Sequence, residues 1–131
     1  MDKYFEKVRN YLLELEYEIS GENEAEGIFV VQNPEMGIVN MIIDCEDLVL
    51  ILEQHLFDMK NADVETLKTL LQLNRNIVHG ALVLDETGTR VIFRDTLQLR
   101  NLDLNELEAS VSSLSLFLSE YAGKILELSK N

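Results

Sequence analysis

Cysteine and proline occur only once each in this chain, histidine twice, and glycine six times at scattered single positions. The lone Cys45 excludes an intramolecular disulfide and a cysteine-rich metal site. Neither His55 nor His79 stands at a metal-motif spacing from the other or from Cys45. The isolated glycines form no phosphate-cradling loop, and no serine sits in a Gly-x-Ser-x-Gly elbow. The acids from Glu14 to Glu26 lack the alternating oxygens, central glycine and terminal glutamate of a calcium loop. Basic residues are scarce as well: 11 Lys and Arg face 24 Asp and Glu, a formal charge of −13. That field repels phosphate backbones and anionic headgroups, so neither nucleic acid nor membrane is expected as a partner. No apolar run approaches the ~20 residues that span a bilayer. The start, Met1-Asp2-Lys3-Tyr4-Phe5-Glu6-Lys7, lacks the apolar centre of a signal peptide. The expectation is a cytoplasmic protein with no cofactor, no metal and no catalytic apparatus, which leaves binding to another protein as its work.

Hydrophobic residues make up 47% of the 131 and charged residues 27%, the composition of a globular chain. Without a linker, repeat or low-complexity stretch, residues 1–131 read as one domain with one core. The acid is uneven. Residues 1 to 60 carry 14 acids and 4 bases, and residues 61 to 131 carry 10 and 7. Solvation explains such a surplus, and so does attraction of a basic partner segment, which salt would weaken.

Tyr4, Phe5, Val8, Tyr11, Leu12, Leu15 and Ile19 keep helical spacing, predicting a helix from Asp2 that stops at Ser20-Gly21. Strands are predicted over Ile28–Gln32, Ile38–Asp44 and Leu48–Phe57, an antiparallel meander with a turn at Asn33–Gly37. Asn61–Asp63 supply caps for a second helix from Val64 that ends near Asn76. A hairpin follows, Ala81–Asp85 and Thr89–Leu99 around Glu86-Thr87-Gly88. Asp103 and Glu106 make a capping box for the last helix. There Leu104, Leu107, Val111, Leu114, Leu118, Tyr121, Ile125 and Leu128 form a heptad seam, to be packed either on the sheet or against another subunit. The order α-β-β-β-α-β-β-α, without βαβ alternation, predicts an α+β fold with a mostly antiparallel, twisted sheet and helices packed on it.

Strand alternation assigns faces. In the second strand Asn40 and Asp44 mark the outer side and carry Ile38 and Ile42 with them, leaving Val39, Met41 and Ile43 inside. Arg90 and Arg94 place Ile92 outside, with Val91 and Phe93 inside. Leu48-Val49-Leu50-Ile51-Leu52 is apolar on both faces, and Glu53 and His55 put Val49, Ile51 and Phe57 on the more polar one. Ile38, Ile42, Val49, Ile51, Phe57 and Ile92 are therefore the candidate partner-binding patch, unless the second helix covers them.

The segment Leu70-Leu71-Gln72-Leu73-Asn74-Arg75-Asn76-Ile77-Val78-His79-Gly80-Ala81, with Leu84-Asp85-Glu86 and Val91-Ile92-Phe93-Arg94, resembles the middle of the type III secretion chaperone-like proteins. That group includes the Tir chaperones of CesT type and the YbjN-like proteins. The strand Leu48–Phe57 is similar to the group's apolar strand that runs into Glu-Gln, and the element order agrees over the whole chain. The resemblance implies a small acidic cytoplasmic protein, usually a homodimer, that holds an extended client segment without a nucleotide. It also admits a regulatory or signalling adaptor of the same fold that binds a folded partner or a small ligand. It carries over no specific binding residue.

Overall fold

A computed structural model describes residues 2–130. Helix α1 (Asp2–Glu14) presents Phe5, Val8 and Leu12 to the core, and the Phe5 ring stacks on Phe29 at 4.1 Å between centroids. It ends earlier than its apolar spacing predicts. Glu16 takes a left-handed conformation (φ 65), its N–H donating to the Leu13 carbonyl and that of Tyr17 to the Leu12 carbonyl. This paired closure normally uses glycine at the left-handed position. Burial of Tyr17 beside Leu12 offsets the strain that Glu16 incurs.

The early stop frees strand β1 (Glu18–Asn23), which the sequence reading placed partly in the helix and partly in a turn. β2 (Ile28–Asn33), β3 (Ile38–Glu46) and β4 (Val49–Asp58) follow, then α2 (Val64–Leu73), β5 (Ala81–Leu84), β6 (Arg90–Gln98) and α3 (Leu104–Ser129). The fold is α+β, with one more strand than expected. Six strands form one antiparallel sheet in the order β1-β2-β3-β4-β6-β5. Gly27 (φ 75) joins β1 to β2 where a Cβ would stand 2.5 Å from the Cys45 carbonyl oxygen, so a side chain cannot fit.

The helices' apolar faces meet the sheet face bearing Phe29, Val31, Met41, Ile43, Leu50, Leu52, Val91 and Phe93, and the whole forms a single core. Asp63 caps α2 by accepting from the Thr66 N–H, and Leu70 and Leu73 join that same core. Asp103 and Glu106 form the expected capping box on α3. The heptad seam faces inward: Leu107, Val111, Leu114, Ile125 and Leu128 are buried and Leu104, Leu118 and Tyr121 half-buried. A kink at Tyr121, two residues before Gly123, keeps the far end on the core. Ser110 and Ser113 on this helix are buried and bonded, Ser110 Oγ donating to Asp95 and Ser113 Oγ to the His79 carbonyl.

The two sheet edges differ. At β5 the Asn74 side chain acts as a surrogate strand, accepting from the Leu82 N–H at 2.7 Å and donating to the Leu82 carbonyl at 3.4 Å. β1 carries a bulge at Ser20 and exposed acids, features that discourage edge-to-edge pairing.

Candidate functional site

On the sheet face away from the helices, side chains alternate between apolar groups and carboxylates. Ile42 lies opposite Glu53, Asp44 opposite Ile51 and Glu46 opposite Val49 across β3 and β4. β2 adds Ile28 beside Asp44 and Val30 beside Ile42. Ile42, Val49 and Ile51 border a shallow hollow of about 450 Å3, together with Asp44, Glu46 and the ion pair that Arg94 makes with Glu53. No helical residue lines it. The second helix was one expected cover for this face, but α2 spends its buried residues on the opposite side.

Four of the six patch residues stand on this outer face. Ile42 is 36% exposed, and Val49, Ile51 and Ile92 are half-buried. Ile92 is not contiguous with the other three. The Glu53–Arg94 pair separates it from them, and it borders a neighbouring hollow with Val83.

Ile38 and Phe57 do not belong to the face. They are 0% and 6% exposed and lie in the core. Both errors have one physical cause, a β-bulge that reverses the alternation of inward and outward residues. In β3 three residues advance against two of β2 between Met41 and Ile38, and Asn40 takes the left-handed conformation (φ 51). Ile38 turns inward and Val39 outward, the reverse of the sequence reading. In β4 an extra residue falls between His55 and Phe57, carrying Phe57 inside.

Polar side chains brace the first bulge. Buried Gln54 accepts from the Val39 N–H and donates to the Gly37 carbonyl. Gln32 accepts from the Asn40 N–H and donates to the Asn40 side chain. The sequence reading missed Ile28 and Val30. Gln32, two residues on from Val30 and on the same side of the strand, was the polar marker available for them. It also missed a second apolar hollow, of about 390 Å3, between α2 and β5. Leu67, Leu71, Leu82 and Leu84 line it, and Leu71 is 70% exposed.

The site's electrostatics are those of a surface with more acids than counter-charges. Partial burial, then the like charges of Glu46, Glu53 and Glu26, hold the Asp44 carboxyl above the usual aspartate range. Burial and Asp44 push the Cys45 thiol up to about 11, which keeps it protonated and unreactive at neutral pH. His55 Nε2 lies 2.8 Å from Asp58, whereas His79 contributes its backbone to Ser113, so the two histidines serve separate structural contacts. Among the described residues no three His, Cys, Asp or Glu side chains are grouped to hold a metal ion. None of the described helices is long and apolar enough to cross a membrane.

A protein-family model described as CesT_Tir_1 matches residues 1–131. Comparison with curated protein sequences finds no match. Among solved structures, YbjN from E. coli is similar with a TM-score of 0.68 at 14% identity over 92% of each chain. A chain of the heterodimeric ExoU–SpcU complex, from the type III secretion system of Pseudomonas aeruginosa, gives 0.67 at 14% identity. That match covers 92% of this chain and 95% of the other. A chain of the HopA1–SchA chaperone–effector complex gives 0.60 at 16% identity, covering 97% and 94%. At such identities the likeness is one of fold.

Proposed function

Because the chain belongs to the CesT_Tir_1 family, we propose that it is a non-enzymatic, chaperone-like protein of the cytoplasm that holds a segment of a client polypeptide on its outer sheet face. The observation that carries this reading is the hollow bordered by Ile42, Val49 and Ile51, apolar in part and lined by no helical residue among those described. Apolar surface left uncovered on one face of a sheet favours burial by a second polypeptide. The heterodimeric and the chaperone–effector complex that contain chains of similar fold support a polypeptide as the ligand.

A homodimer belongs to the same proposal. The hollow between α2 and β5, where Leu71 is 70% exposed, offers a second copy an apolar surface separate from the client's. Light scattering across concentrations tests it, a strictly monomeric result removing the dimer from the account.

Ile51→Lys tests the client site. The side chain is half-buried on a face that no helix covers, so the variant folds. Burial of such a side chain contributes about 1.5–3 kcal/mol to a contact, and client affinity falls at least about tenfold. The wild type protects an extended client from proteolysis and the variant does not. A regulatory adaptor would instead bind only a folded target and leave an extended one to the protease. An unfolded variant would mean that the chain itself buries this face.

A further inference from the structure

The chemistry of the occupant can be read from what surrounds the hollow. Each apolar side chain there has a carboxylate as its cross-strand neighbour: Glu53 for Ile42, Asp44 for Ile51, Glu46 for Val49. Only Glu53 has a cation, the Arg94 guanidinium. Asp44 and Glu46 make no ion pair among the described residues, and Glu26 adds a further like charge toward Asp44.

Water solvates these groups while the face is open. Any segment that fills the hollow removes that water, and an ionised carboxylate taken out of water without a donor is strongly destabilising. A wholly apolar occupant is therefore penalised at the positions where it makes its best apolar contacts. An acidic occupant is repelled. A Lys or Arg beside an apolar residue supplies the missing donors and counter-charge, while its aliphatic stem covers the branched side chains.

On the reading that the client lies on this face, we infer that the recognised segment carries a lysine or arginine within one or two residues of a branched or aromatic apolar residue. The pairs Asp44–Ile51 and Glu46–Val49 form the complementary surface. The overall charge of −13 attracts basic segments from a distance, and the two unpaired carboxylates select where the cation comes to rest.

The test uses the full-length chain on an array of unstructured 13-residue peptides of mixed composition, at low and high salt. Bound peptides should be enriched in apolar residues flanked by Lys or Arg, and salt should weaken them. The double variant Asp44→Asn/Glu46→Gln should lose the enrichment in cations, keep that in apolar residues, and bind the best basic peptide about two- to fivefold more weakly for each carboxylate removed. Glu14→Gln/Glu120→Gln, two exposed acids elsewhere with the same change in net charge, should bind as the wild type does. Equal capture of neutral or acidic apolar peptides overturns the inference. So does a cation preference that survives in Asp44→Asn/Glu46→Gln, or that Glu14→Gln/Glu120→Gln loses as fully. The assignment of the client to this face fails separately, if Ile51→Lys captures the same peptides as the wild type or if no peptide binds at all.

Discussion

Asp44 shows how a surface can be tuned against the stability of its own fold. Its folded-state pKa is raised, first by partial burial and then by Glu46, Glu53 and Glu26. A raised carboxylate pKa means that the folded chain holds a proton the unfolded chain has released. The stability this proton brings is full below the unfolded value and is lost as the pH rises through the folded one. Asp44→Asn removes the ionised form and should raise the melting temperature at pH 7. Thermal scans should find that the gain shrinks on acidification and vanishes below the ordinary aspartate value. A gain that did not depend on pH would contradict the electrostatic account. Next to it, Cys45 contributes volume to the core and no chemistry, because its buried thiol stays protonated.

Among the elements, the β3 bulge has the largest consequence, since it decides whether Ile38 faces core or solvent. Gln54→Leu tests its bracing. The substitution leaves the Val39 N–H and the Gly37 carbonyl without the partner they have now. One such loss costs about 1–3 kcal/mol, so urea denaturation should report a lower midpoint and an unfolding free energy smaller by that order. An unchanged midpoint would mean that the bulge holds itself.

The bulges also set what could be read from the sequence. Long periodic elements were legible, α2 and α3 with their caps among them, because periodicity and capping residues are local signals. Two-residue alternation is local too, yet one extra residue reverses it for the rest of the strand, and this moved Ile38 and Phe57 to the wrong side. Asn40 was the available clue, being a residue that tolerates the left-handed conformation inside an apolar run. The end of α1 was not legible, since Glu16 closes the helix without a glycine and β1 begins inside the same apolar spacing. Ile42, Val49 and Ile51 were legible because they lie where the alternation is undisturbed.

For the whole molecule, helices α1, α2 and α3 commit their apolar faces to one side of the sheet and leave its other side open. The net charge of −13 and the acids that border the apolar hollow oppose contact between two copies of this face. Photo-crosslinking in the native cell asks whether this face holds the client. A photoreactive aromatic residue is placed at Ile42, and in a separate variant at Leu126, which is 60% exposed on α3. Position 42 should give discrete adducts to another polypeptide, abolished when Ile51→Lys is added, and position 126 none. Adducts from position 126 alone, or adducts from position 42 that survive Ile51→Lys, would contradict this placement of the client.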